Sequence, residues 1–116
     1  MPHPVVHFEI LGRDRKLLEE FYKSVFNWEI EPVEDWYSLV KPGTGIGGGI
    51  GARAQYAGHV TFYVAVTDIA ASLALIESKG GKTAFGPNPI PDGGIIAGFT
   101  DPEGHLIGLV QPPPGM

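Results

Sequence analysis

HFEILGRDRKLLEEFYKSVFNW, residues 7–28, changes period in its middle, and that change decides the fold. The first part, extended back to Val5, is apolar and rich in β-branched residues, which suits a strand over residues 5–11. Side chains of a strand alternate, so His7, Glu9 and Leu11 share one face and Val6, Phe8 and Ile10 the other. Asp14 is placed to cap a helix. From there Leu17, Leu18, Phe21, Tyr22, Val25 and Phe26 recur at helical spacing, with Arg15, Lys16, Glu19, Glu20 and Lys23 between them. The spacing predicts an amphipathic helix of about three turns, ended by Asn27.

After the helix, strands are expected at residues 28–31, 36–40 and 46–52, separated by Pro32 and by Pro42-Gly43. Residues 53–58 are polar and small and form an internal boundary. The order then begins again. Residues 59–66 alternate as a strand, Asp68 caps, and Ile69, Leu73 and Ile76 form a helical seam closed by Gly80-Gly81. Strands follow at 82–85, 94–100 and 105–111, divided by the loop 86–93 and the turn Asp101-Pro102-Glu103-Gly104. Residues 112–116 are a tail too proline-rich to extend a sheet.

Strand, helix and three strands thus occur twice. A βαβββ unit of about fifty residues cannot bury its own sheet, so two must pair. The expectation is one α+β domain over residues 1–116, with modules at 1–52 and 59–112 and a linker at 53–58. The paired modules would form a cup-shaped, curved mixed sheet with the helices outside and a small organic ligand inside. The pairing can be made within one chain or between two, and a homodimer is expected from the sheet that one chain leaves open.

Composition narrows the function. Thirteen acids against eight bases leave a net charge of −5 without a basic cluster, which argues against nucleic acid as a partner. The absence of cysteine removes thiolate ligands and cysteine nucleophiles. No apolar run approaches the ~18 residues of a membrane span, and residues 1–9 lack a secretory pattern, so a cytoplasmic protein is expected.

Three stretches together resemble the vicinal oxygen chelate superfamily, which includes glyoxalase I, the bleomycin-resistance proteins, fosfomycin-modifying enzymes and extradiol dioxygenases. They are the opening residues 7–28, YVAVTDIAASLALIESKGG from Tyr63, and FTDPEGHLIGLVQP from Phe99. The resemblance implies the two-module fold and, in metal-dependent members, His, Glu, His and Glu ligands on inward strand positions. Carried over residue by residue, the first ligand falls on His7, seven residues before Asp14. The second falls on Thr61, since His59 is two residues early and about 6–7 Å further along the strand. The closing carboxylate falls on Gly108, and the remaining one on Gly47-Gly48-Gly49. Glycine offers no donor side chain, so His7 is a vestigial ligand position and no cofactor is expected.

Other candidates carry a bland alternative. His7, Glu9 and His59 would make an unorthodox metal set, against Glu9 pairing with a base or water and His7 only hydrogen-bonding. The glycines of 43–51 lack the lysine of a phosphate loop and more simply allow a bulge or ligand room. Trp28, Trp36, Tyr37, Phe62, Tyr63 and Phe99 include either an aromatic wall or core residues, with Tyr63 on the inward face beside Thr61. His105 alternates away from Gly108, toward solvent or a helix. The expected ligand contacts are therefore His7, Glu9, Thr61, Tyr63 and Gly108, with His7 and Glu9 the candidates for any catalysis. Two functions follow: a ligand-sequestering protein with a dismantled metal site, or a lyase, isomerase or dioxygenase working without metal or with a rearranged site.

Overall fold

The computed structural model describes residues 2–56 and 58–114; Ala57 of the expected linker and Gly115-Met116 of the expected tail lie outside the described residues, as does Met1. The elements are β1 (Val5–Gly12), α1 (Arg15–Phe26), β2 (Glu29–Glu34), β3 (Tyr37–Lys41), β4 (Gly47–Ala52), a 3-10 turn (Ala54–Tyr56), β5 (His59–Ala65), α2 (Ile69–Ser78), β6 (Lys82–Pro89), β7 (Ile95–Thr100) and β8 (Leu106–Gln111). This is a mixed α+β fold in which strand, helix and three strands are repeated. The chain divides into two compact units, Val6–Thr61 and Met1–Val5 with Phe62–Met116.

In the first unit the strands run β2-β3-β4-β1, with β1 and β4 parallel and the other pairs antiparallel. Asp14 Oδ1 accepts the Leu17 N–H at 3.1 Å, and Asn27 closes α1 in the left-handed conformation at φ 58°. One face of the sheet carries Phe8, Val40 and Ile50 toward the helix side, where Trp28 packs on Phe8 and stacks on Tyr22. Trp28 therefore belongs to the packing under α1 and not to a ligand wall. Fully buried Ser38 sits on this face and is satisfied by Arg15 and Glu19, which also pair with each other at 2.7 Å.

The apolar arc of α1 is wider than the sheet can cover. Leu17, Phe21 and Val25 remain 67%, 56% and 56% exposed, although their spacing assigned them to the buried side. β2 also runs through Pro32 instead of stopping there. It is an edge strand with a register shift beside the proline, so the missing N–H costs no ladder bond.

In the second unit the order is β5-β8-β7-β6, again with one parallel pair, β5 with β8. Val66, Ile69, Leu73, Ala97 and Leu109 form its core under α2, joined by Val64, Ile76, Ile95 and Phe99. Phe99 is thus core and not ligand wall. Asp68 caps α2 through the Ala71 N–H at 3.0 Å, and Gln111 Oε1 accepts the Ile69 N–H. β6 continues past Phe85 to Pro89, beyond its expected end. Gly86 makes this possible: at φ 82° it lies so close to β7 that a Cβ would meet the Ile96 carbonyl oxygen at 2.7 Å.

The turn at residues 101–104 is held by one carboxylate. Asp101 Oδ1 accepts the backbone N–H groups of Glu103 and His105, and Gly104 takes φ 91°. These bonds, the one from His105 first, hold the Asp101 carboxyl below its ordinary pKa. The His105 ring lies exposed against the same carboxylate at 3.0 Å.

Candidate functional site

Strand register assembles a polar group on the face of the first unit that α1 does not cover. Glu9 is opposite Gly49, His7 opposite Gly47 and Leu11 opposite Gly51, so β4 offers three consecutive glycines to that face. β3 then places Tyr37 opposite Gly51. The room on β4 is filled from within. A Cβ on Gly49 would overlap the Tyr37 hydroxyl, and one on Gly51 would meet Cδ1 of the same ring at 2.9 Å. Tyr37 lies lengthwise in a trough that only glycines can make. The ladder stays regular along β4, so these residues serve neither a bulge nor a phosphate loop.

The hydroxyl at the end of this trough joins the two candidates on β1. Tyr37 donates to Glu9 Oε2 at 3.0 Å, and His7 Nε2 lies 2.8 Å from the same oxygen. With the phenol proton directed at the carboxylate, the oxygen accepts from His7 Nε2–H, which fixes the chain as imidazole, phenol, carboxylate. Glu9 is only 9% exposed, and burial lowers the His7 pKa below 6.5, so His7 is neutral at pH 7. His7 is hydrogen-bonded, as the plainer of the two expectations had it, and its partner is the Tyr37 hydroxyl. The sequence reading placed His7 and Glu9 correctly on one face but missed Tyr37 as the group between them.

In the second unit Tyr63 is directly opposite Gly108, and its ring covers the place where a Cβ of Gly108 would be. Phe85 covers Gly98 in the same way, as Phe8 covers Gly48 on the helix side of the first unit. Thr61 and Tyr63 lie two residues apart on one side of β5, with His59 at its start. Among the described residues no group of three or more His, Cys, Asp or Glu side chains converges on a point where an ion would sit. The set His7, Glu9 and His59 is therefore not assembled. A separate groove of about 340 Å³ opens between α1 and β2, lined by Lys16, Glu19, Glu20, Lys23, Ile30 and Pro32. It is on the helix side of the sheet, opposite the face that carries His7, Tyr37 and Glu9.

A family model described as the Glyoxalase/Bleomycin resistance protein/Dioxygenase superfamily matches residues 5–109. The chain belongs to this superfamily. Among solved structures, methylmalonyl-CoA epimerase from Mycobacterium tuberculosis is similar at a TM-score of 0.69 and 19% identity, over 95% of this chain and 88% of that one. A glyoxalase/bleomycin resistance protein/dioxygenase superfamily member from Vibrio splendidus 12B01 gives 0.70 and 16%, over 95% and 99%. A curated relative, the probable chloroplastic lactoylglutathione lyase of Arabidopsis thaliana, is 38% identical over 56 residues, which are 47% of this chain and 16% of that protein. No helix of the described residues is long and apolar enough to cross a membrane.

The metal that the superfamily implies does not suit the donors present on these faces. His7 and Glu9 both point their nitrogen and oxygen at the Tyr37 hydroxyl; of the carboxylate positions, the run Gly47-Gly48-Gly49 has Phe8 over Gly48 and Tyr37 over Gly49, and Gly108 lies beneath Tyr63. Two adjacent donors fall short of the three or four that a structural or catalytic ion needs from a protein.

Proposed function

We propose that this superfamily member binds a small organic ligand without a metal ion, on the face carrying His7, Tyr37 and Glu9. The supporting observation is the Tyr37 hydroxyl, which stands over Gly49 and ties His7 to Glu9. Such a chain presents a neutral imidazole, a phenol and a carboxylate in series, able to exchange hydrogen bonds with a carbonyl or hydroxyl of a ligand. Thr61 is proposed as a further contact within the first unit, Tyr63 and Gly108 are proposed as ligand contacts of the second unit in their own right, and the protein is proposed to be a homodimer. The related epimerase and lyase have small organic substrates by name, which agrees with a ligand of that size.

A second reading makes the same group catalytic, in a metal-independent lyase, isomerase or dioxygenase. The favouring observation is the buried carboxylate of Glu9 hydrogen-bonded to a phenol, a general base with a proton donor beside it. Elemental analysis of the purified protein, dialysed at neutral pH without chelator, tests the shared premise. Substoichiometric divalent metal is expected. A ratio near one ion per chain, lost in His7→Ala, would overturn both readings.

A further inference from the structure

Arg53 follows the last residue of β4, and its Cζ lies 4.1 Å from the centroid of the Trp36 ring. That ring in turn packs on Tyr37, centroid to centroid 4.9 Å and tilted by 46°. The backbone holds both neighbours in place: the Arg53 N–H donates to Gly12 O at 3.2 Å, and the Ala52 N–H to Trp36 O at 2.9 Å. The guanidinium is exposed and enters no ion pair among the described residues, whereas Arg15 and Lys41 are matched to Glu19 and Glu31. Stacking occupies the flat face of a guanidinium and leaves its edge of N–H donors, which fits a carboxylate in two parallel bonds. Being pinned on the indole also reduces the freedom it would lose on pairing.

We propose that Arg53 is an anion-recognition residue of the candidate site, and that the ligand is a small organic carboxylate. The proposal rests on the function proposed above and adds the ligand's charge. The carboxylate pairs with the Arg53 edge, the body of the ligand lies along the Trp36 and Tyr37 rings, and its far end reaches the hydroxyl shared by His7 and Glu9. Register limits the length. Arg53 directly follows Ala52 and Gly49 is opposite Glu9, so the two ends are four residues apart, or about 13 Å. In a chain of net charge −5 a local cation is what gives such an anion a place to dock.

Benzoate and benzamide, equal in shape and different in charge, are the probes. Each is titrated into the ¹⁵N-labelled full chain while the Trp36 indole N–H and the Gly49 and Ala52 amides are followed. Benzoate is expected to bind about tenfold more tightly than benzamide, as one charge-assisted pair allows, and to shift all three signals. Arg53→Gln, checked for an unchanged melting temperature, should bring the two probes within about twofold, and Arg53→Lys should restore part of the difference. Added salt should erode the preference in the native chain. Equal binding of the two probes, or a preference untouched by Arg53→Gln, would overturn the role of Arg53 while leaving the His7, Tyr37 and Glu9 site standing. Benzoate that shifts Trp36 and Ala52 but not Gly49 would support the anion contact and count against the proposed function. Absence of any shift would reject the carboxylate assignment.

Discussion

Adding one methyl group at Gly49 should damage the native chain and help a chain that lacks the Tyr37 side chain. The φ of Gly49 lies outside the left-handed region, so alanine fits the backbone there, and a sheet glycine replaced by alanine ordinarily gains about 0.5–1 kcal/mol. The obstacle is the tyrosine. A Cβ would occupy the position of its hydroxyl, so the ring must leave the trough. Leaving breaks the bonds to His7 and Glu9, of which the one to the buried carboxylate is the stronger. Together with overpacking, the expected loss for Gly49→Ala is about 2–4 kcal/mol. In Tyr37→Ala the same change should instead raise stability by about 0.5 kcal/mol, a coupling of about 2.5–4.5 kcal/mol. Urea unfolding of the four chains measures it, and at ordinary slopes the native-background midpoint should fall by roughly 1–2 M. A coupling below about 0.5 kcal/mol, with Gly49→Ala tolerated, would show that Tyr37 does not lie over β4 and would remove the basis of the site.

Three further outcomes are expected. Burial depresses the His7 pKa, so the unfolded chain takes up a proton first; the stability this group contributes is complete above pH 6.5 and is lost as the pH falls below it. His7→Gln should therefore flatten the decline in melting temperature between about pH 7 and 5, and an unchanged slope would contradict the buried neutral imidazole. Gly108→Ala should cost about 1–3 kcal/mol because the new Cβ would overlap the Tyr63 ring, and the loss should shrink when Tyr63→Ala is added; an equal loss in both backgrounds would refute that contact. Light scattering at micromolar concentration should report a homodimer, and a mass of 12.4 kDa, one chain, would exclude it.

The parts of the fold that were legible in the sequence are those fixed by neighbours in the chain. Asp14 and Asn27 bound α1, Asp68 caps α2, and the turn at Asp101 is built from four consecutive residues, so each could be read locally. Strand alternation also put His7 and Glu9 on one face. What could not be read is set by register. Tyr37 precedes Gly49 by twelve residues and meets it only because β3 folds back against β4, and nothing in the spacing of β1 points to a phenol. The rings that lie over the glycines of β4 and β8, Tyr37 and Tyr63, come from adjacent strands. The exposure of Leu17, Phe21 and Val25 escaped for a related reason: periodicity shows that a helix has an apolar arc but not how much of it one sheet can cover.

The pairing of each ring with a glycine also constrains how this chain can change over generations. Gaining a carboxylate at position 49 or 108 is a single substitution on paper, yet the ring must be trimmed or turned away first. Either order passes through a less stable intermediate: a side chain forced beneath a tyrosine, or an empty trough with Glu9 deprived of a donor. With only about 5–15 kcal/mol separating a folded domain from its unfolded state, that valley is deep enough to act as a ratchet. Variation among descendants of this sequence should consequently arrive in coupled pairs, 37 with 49 and 63 with 108, far more readily than at any of these positions alone.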